Sequence, residues 1–167
     1  MQRGTHVLLA SAMAVAGALV AASPAAAEER ICRGSLGAVT VDNLRVPAGA
    51  TCTLTRTYVK GTIKVEQGAT LSATSVRVIG NVQAEGHRSV RVVSSQVGGS
   101  IQVKQGSQAY LDRNRVTGDI QSFTNAGTQR FTYNTVNGNL QCKENVPAPT
   151  GWGNVVGGNK EDQCRRL

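Results

Sequence analysis

Short stretches in which apolar and polar residues alternate recur along the chain at a nearly constant spacing. Residues 63–65 and 101–103 each place an apolar residue on both sides of a polar one. This alternation is typical of a strand that buries one face. A second alternation follows the first within each unit, as at Leu71 and Ala73. The pattern therefore predicts short strands separated by tight turns.

Each unit ends on a valine, a variable residue, a glycine and a small polar residue. The glycines recur at intervals of 19 and then 20 residues, in the series Gly61, Gly80, Gly99, Gly118, Gly138 and Gly158. A period of this length is typical of a solenoid, in which each repeat forms one coil stacked on the next. Three short strands and three corners in each repeat predict an all-β, single-domain, parallel β-helix of about six coils. We favour the right-handed form, because left-handed β-helices keep a strict hexapeptide period.

The first residues have the pattern of a secretory signal. Arg3 gives a positive start, residues 7–20 form an apolar run, and residues 25–27 are the small residues after which a signal peptidase cuts. The run is short for a bilayer span, so we expect cleavage near Ala27, a secreted protein and no stable insertion in a membrane. We divide the chain into a signal peptide (1–27), an N-terminal cap with a partial coil (28–43), the β-helix repeats (44–159) and a C-terminal cap or tail (160–167).

Columns of polar residues support the alignment of the repeats. Asparagine tolerates left-handed corner conformations, and stacked amides can form hydrogen bonds along a column, so we expect a corner column at Asn114, Asn134 and Asn154. A second column is expected to form an outward amide row at Gln83, Gln102, Gln121 and Gln141. A turn with positive φ is expected at Gly49, Gly68, His87 and Gly106.

All four cysteines follow the predicted signal peptide, and an even number in an exported chain predicts two disulfides. In the 19-residue frame Cys32 lies one place from the position of Cys52, and Cys142 and Cys164 lie in neighbouring coils at the other end. We therefore expect Cys32–Cys52 and Cys142–Cys164 bridges, each contributing about 3 kcal/mol and limiting fraying of an end coil. Zinc is the alternative, but no pair has C-x-x-C spacing, and we expect neither metal nor cofactor.

The chain carries 18 Lys and Arg against 10 Asp and Glu, and removal of Arg3 with the signal leaves a net charge of +7. In an exported protein this excess favours an anionic cell-wall or extracellular polysaccharide as partner, and no nucleic acid. The alternative is a basic surface with no specific partner, because the Lys and Arg residues are scattered along the repeats.

One aromatic residue stands out as a candidate binding residue. Tyr110 occupies the same column as Arg91 and Arg130, at equivalent positions of successive coils. A ring flanked by two guanidinium groups could form a platform for a glycan or another anionic polymer. The alternative is a tyrosine covered by two arginine stems. Trp152 is expected to cover the C-terminal end.

Catalysis has weaker support in the sequence. Asp112 has Arg113 and Arg115 beside it, but neighbouring residues of a strand point to opposite faces, which argues against one site. Asp119 belongs to a column of small polar corner residues. We therefore expect it to be a corner residue and not the second carboxylate that glycoside hydrolysis needs. His87 is expected to be a solvated turn residue. We therefore assign no catalytic residue.

Two resemblances accompany these observations. The C-terminal stretch GNLQCKEN (138–145), PAPTG (147–151) and GGNKEDQC (157–164) resembles a recurring ending of small secreted actinobacterial proteins of unassigned activity. The repeats resemble pectin-lyase-like right-handed parallel β-helices in architecture. The aspartate clusters and the arginine of the lyases have no matching motif here, so this resemblance implies the fold and leaves the activity open.

The sequence thus predicts a secreted, non-catalytic β-helix that acts as a structural or binding module outside the cell or in its envelope. It would bind anionic glycans or associate with itself through its end coils. The alternative is a small lyase or hydrolase acting on polysaccharides. Ice binding is disfavoured, because the outward columns lack a regular threonine array.

Overall fold

A computed structural model describes residues 28–167, and the signal peptide predicted for residues 1–27 lies outside this part. The described residues contain strands and turns and no helix. The strands are β1 (Glu29–Ile31), β2 (Gly34–Leu36), β3 (Thr40–Val41), β4 (Asn43–Val46), β5 (Thr51–Thr55), β6 (Tyr58–Val59), β7 (Ile63–Val65), β8 (Thr70–Thr74), β9 (Arg77–Val78), β10 (Val82–Glu85), β11 (Ser89–Val93), β12 (Gln96–Val97), β13 (Ile101–Lys104), β14 (Gln108–Asp112), β15 (Arg115–Val116), β16 (Ile120–Phe123), β17 (Gln129–Thr132), β18 (Thr135–Val136), β19 (Leu140–Lys143), β20 (Thr150–Trp152), β21 (Val155–Val156) and β22 (Lys160–Asp162).

The strands form three parallel sheets, because each strand pairs with the equivalent strands of the coils before and after it. Sheet A runs from β1 through every third strand to β22, sheet B runs from β2 to β20, and sheet C runs from β3 to β21. The predicted all-β parallel solenoid is confirmed. It has about seven coils, one more than expected, because β1–β3 already supply a strand to each of the three sheets. The right-handed winding stays a prediction.

Apolar side chains form continuous columns inside the coils. One column of sheet A is at most 1% exposed at every position and consists of Leu44, Ile63, Val82, Ile101, Ile120 and Leu140. Burying a side chain of this kind contributes about 1.5–3 kcal/mol. The core is therefore narrow, but it runs without interruption along the axis.

The asparagine column lies at the corner between sheets B and C, but the left-handed residues are not the asparagines themselves. Positive φ occurs one residue earlier, at Arg113 (53°), Tyr133 (54°) and Gly153 (71°). The left-handed residue turns the chain, and the asparagine after it is buried inside the coil at Asn114, Asn134 and Asn154. The expectation of left-handed asparagines was therefore wrong, whereas the hydrogen-bonded column is confirmed.

Each asparagine in this column bonds to the next one. Asn134 accepts hydrogen bonds at Oδ1 from the backbone N–H of Asn114 (3.1 Å) and from its Nδ2 (3.0 Å). Asn134 in turn donates from Nδ2 to the carbonyl of Leu111 (2.9 Å) and to Oδ1 of Asn154 (3.0 Å). The ladder thus provides hydrogen-bond partners for backbone groups near the corner that strand pairing leaves unpaired.

His87 is buried and 1% exposed, so the expectation of a solvated turn residue was wrong. Positive φ is present at Gly49 and Gly68 as expected, but in the next two coils it lies one residue early, at Gly86 instead of His87 and at Gln105 instead of Gly106. The imidazole therefore points inward and lies where a Cβ on Gly106 would stand. Gly106 occupies this column in the next coil and asparagines occupy it in the two coils after that, where the N–H of Gly106 donates to Oδ1 of Asn125 at 2.9 Å.

The repeated glycines close the corner between sheets C and A, where a side chain would meet atoms of the preceding coil. A Cβ on Gly80 would lie 2.7 Å from the carbonyl oxygen of Gly61 and 2.7 Å from Oγ1 of Thr62. The residue after each glycine accepts the N–H of its equivalent in the next coil, and Asp119 does so from Asn139 at 2.7 Å. Asp119 is therefore a corner residue, as predicted.

Gly80→Ala is expected to lower the free energy of unfolding by about 2 kcal/mol, because the added methyl group meets backbone atoms that cannot move aside. Gly37→Ala is the matched control, since nothing lies within 4 Å of a Cβ at that position. Urea unfolding of the two variants measures the difference. Equal midpoints would contradict this account of the glycine column.

Both predicted disulfides are confirmed. Cys32–Cys52 joins the first two coils with a Cα–Cα distance of 5.6 Å, and Cys142–Cys164 joins the last coil to the C-terminal segment with 5.2 Å. Among residues 28–167 no cysteine is left free. Paired cysteines at both ends indicate an oxidising environment.

Candidate arginine-aromatic surface

The predicted Arg–Tyr–Arg column is present on the outer face of sheet B. Arg91 of β11 pairs in register with Tyr110 of β14, which pairs with Arg130 of β17. The guanidinium carbon of Arg91 lies 4.4 Å from the centre of the Tyr110 ring, and that of Arg130 lies 5.9 Å from it. Both arginines are exposed, whereas Tyr110 is half-buried between them.

In register, Thr150 follows Arg130 in this column, and Trp152 lies two residues further along the same strand. Its ring centre lies 4.7 Å from the guanidinium carbon of Arg130, which therefore contacts two aromatic rings. Tyr133 packs edge-on against Trp152 with 6.5 Å between the ring centres. We name the five residues the arginine-aromatic stack: Arg91, Tyr110, Arg130, Trp152 and Tyr133. Trp152 was expected to cover the C-terminal end, and its contact with Arg130 was not predicted, although the 20-residue repeat places it one coil after Thr132, with which it pairs in register.

The guanidinium groups over Tyr110 change its expected role. A ring with an arginine near it on both neighbouring strands is a poor platform for the flat face of a sugar. Instead, the aromatic rings hold the guanidinium groups in fixed positions and leave N–H groups available to a ligand. Ordered donors lose less conformational entropy on binding, so the stack is suited to carboxylate, sulfate or phosphate groups.

A shallow depression of about 300 Å³ lies beside the stack on the same sheet. One wall is formed by Tyr110 and Arg130. The remaining lining consists of Ser89, Gln108, Ala109 and Thr128. Hydroxyl and amide groups thus face a cation and a ring, which is a combination suited to the hydroxyl groups of a charged sugar.

The fold also sorts the charges that are scattered along the sequence. Sheets B and C and the corner that joins them carry one acidic residue, Asp112, which is buried. The same surface carries six arginines, which are Arg56, Arg77, Arg91, Arg113, Arg115 and Arg130. Because these arginines are all exposed, the excess positive charge of the protein is concentrated on two of its three faces.

Sheet A differs from the other two in its mixed charge. Its larger depression, of about 620 Å³, is lined by Lys64 and Lys104, by Glu66 and Glu85, and by glutamines. The expected amide row is confirmed, because Gln102 donates from Nε2 to Oε1 of Gln121, and Gln121 donates to Gln141, at 2.9 Å each. These amides form hydrogen bonds with one another along the sheet, so sheet A offers an anion fewer free hydrogen-bond donors than sheets B and C do.

The structure brings Asp112 and Arg113 together, contrary to the expected separation on opposite faces. The left-handed φ of Arg113 breaks the strand alternation, and its Nη2 lies 2.6 Å from Oδ2 of Asp112. Thr132 donates to Oδ1 of the same carboxylate at 2.6 Å. Asp112 is 2% exposed. This carboxylate therefore neutralises an arginine and orders the corner, and a substrate has no open path to it.

Within residues 28–167, no group of three or more His, Cys, Asp or Glu side chains is placed to hold a metal ion. The same part of the chain contains no helix long and apolar enough to cross a membrane. Comparisons with protein-family models, with curated proteins and with solved structures gave no match.

Proposed function

We propose that this protein is a secreted, non-catalytic binding module for anionic glycans of the extracellular space or the cell envelope. The observation that carries the proposal is the arginine-aromatic stack on a face whose one carboxylate, among the described residues, is buried. Fixed guanidinium groups recognise carboxylate or sulfate groups through paired N–H donors. A rigid solenoid presents them in a straight row, which suits a linear polymer.

An extracellular location is part of this proposal. The disulfides favour it, and so does the signal-like pattern of residues 1–27. The resemblance of the C-terminal stretch to the ending of small secreted actinobacterial proteins points the same way. Self-association through the end coils would add to polymer binding, because stacked copies would lengthen the row of arginines.

The alternative is a small polysaccharide-acting enzyme, for which Asp112 beside Arg113 is the one favourable observation. Such an enzyme would release new reducing ends or unsaturated sugars, and Asp112→Asn would abolish them. The burial of Asp112 favours the binding module.

Arg91→Ser combined with Arg130→Ser is expected to weaken binding to an anionic polysaccharide about tenfold, because two ordered cations are lost. Co-sedimentation of the oxidised mature protein with cell walls and with insoluble acidic polysaccharides, over a salt series, measures this. Binding of the unchanged protein should weaken as salt is added.

Lys64→Ser combined with Lys143→Ser is the matched control, since it removes the same charge from exposed positions of sheet A. If both double variants lose binding equally, the protein responds to net charge and the stack has no special role. If the unchanged protein stays in the supernatant with every polymer at low salt, the proposed function fails.

A further inference from the structure

A second column of arginines lies on sheet C. Arg77 of β9 pairs in register with Gln96 of β12, and Gln96 pairs with Arg115 of β15. All three side chains are exposed. Arg77 also lies over the ring of Tyr58 in the preceding coil, with 5.5 Å between the guanidinium carbon and the ring centre. Sheet C therefore repeats the arrangement of sheet B, an arginine stacked on a tyrosine within a column of exposed polar residues.

The two columns share the same spacing of charge. In each, two arginines are separated by one uncharged residue, Tyr110 on sheet B and Gln96 on sheet C. Neighbouring parallel strands lie about 4.8 Å apart, so the paired arginines of each column stand roughly 10 Å apart along the axis. Each column thus holds one pair of arginines that are two coils apart.

None of these four arginines forms an ion pair within residues 28–167. The uncharged positions between and beside them offer hydrogen-bonding groups. Gln96 provides an amide on sheet C, and Ser89, Gln108 and Thr128 line the depression on sheet B. Each column therefore places one uncharged residue between two arginines that form no ion pair among the described residues.

We infer that sheets B and C select a linear polysaccharide in which an acidic sugar alternates with a neutral one, and that the polymer lies along the solenoid axis. One hexose advances such a polymer by about as much as one coil advances the solenoid. Acidic groups on every second sugar then meet the two arginines of a column. The neutral sugar between them meets Gln96 on sheet C, or the depression beside the column on sheet B. This inference rests on the proposed function and specifies its ligand.

Affinity for two soluble polymers of matched chain length tests the inference. Hyaluronan carries a carboxylate on every second sugar, polygalacturonate carries one on every sugar, and dextran serves as the neutral control. A surface that responded to charge density alone would bind polygalacturonate more tightly. We expect the oxidised mature protein to bind hyaluronan at least about threefold more tightly, which corresponds to roughly 0.7 kcal/mol.

The exchange variant Arg77→Gln with Gln96→Arg provides a control of identical composition and net charge. It places arginines on neighbouring coils of sheet C, and both positions are exposed, so the fold should be kept. The preference for hyaluronan is expected to decrease, because only the column of sheet B then keeps its arginines two coils apart. Thermal unfolding verifies that the variant is folded.

The outcomes separate the two proposals. Absence of binding to both acidic polymers at low salt would overturn the proposed function itself. Binding of polygalacturonate as tight as that of hyaluronan, or an unchanged preference in the folded exchange variant, would overturn the alternating spacing and leave the binding surface in place.

Discussion

Asn134→Ala is expected to lower the free energy of unfolding by about 4 kcal/mol, because this side chain connects three coils. Its Oδ1 accepts two hydrogen bonds from Asn114, and its Nδ2 donates to Leu111 and to Asn154. Asn134 is fully buried, so water cannot replace the lost partners. Each buried polar group left without a partner costs about 1–3 kcal/mol. Urea unfolding followed by circular dichroism measures the loss.

Asn137→Ala is the matched control for this variant. Asn137 is exposed and lies three residues further along the same coil, and a surface substitution of this kind changes stability by less than about 0.5 kcal/mol. A loss of stability at Asn134 no greater than that at Asn137 would show that the hydrogen bonds of the ladder contribute nothing to the free energy of unfolding. A larger loss with an unchanged slope against urea would confirm a local effect on the folded state.

The asparagine ladder also shows why the fold could be predicted in outline from the sequence. In a parallel solenoid, equivalent residues of successive coils lie directly above one another, so a column in the aligned repeats is a column in space. Asn114, Asn134 and Asn154 could therefore be placed together without coordinates. The same reasoning joined Cys32 to Cys52, since neighbouring coils bring such residues within reach of a disulfide.

Corner geometry could not be predicted in the same way, because an alignment does not fix which residue takes the left-handed conformation. The residues with positive φ at the corner between sheets B and C include Arg56, Ser75 and Arg113, which have no common chemistry. Glycine indicates such a position only where it happens to be present. At the corner between sheets A and B, the left-handed residue is Gly86, one place before the expected position, and His87 therefore lies inside the coil instead of in solvent.

The candidate site was predictable to a similar extent. The repeat frame brought Arg91, Tyr110 and Arg130 together, because all three lie on strands of one sheet. The segregation of charge onto two faces was not predicted, since it depends on which sheet each arginine joins. The pairing of Asp112 with Arg113 was missed for a local reason, the left-handed backbone of Arg113.

His87 is expected to make the stability of the protein depend on pH. Its imidazole is buried, and neither ring nitrogen forms a hydrogen bond of good geometry. Burial disfavours the charged imidazolium and lowers the pKa of His87 from 6.5 to about 4. Between these two pH values the unfolded chain therefore binds more protons than the folded protein does. The free energy of unfolding consequently decreases as the pH falls.

The expected result is a loss of about 3 kcal/mol in the free energy of unfolding as the pH falls from 7 to 4. Most of the loss should occur below pH 6.5, and the contribution of His87 should level off below about pH 4. His87 is the only histidine after residue 27, so no other imidazole of residues 28–167 contributes. Urea unfolding at several pH values gives the curve.

His87→Asn is expected to remove this dependence, because asparagine does not titrate and already stands in the same column at Asn125 and Asn145. Asp42→Asn is the control. Lys60 donates a hydrogen bond to Asp42 and lowers the pKa of its carboxyl below 3.8, so Asp42 titrates outside the range. A His87→Asn curve parallel to that of the unchanged protein between pH 7 and 4 would show that other groups set the pH dependence. A flat curve would identify the buried imidazole as the group through which acid lowers the free energy of unfolding.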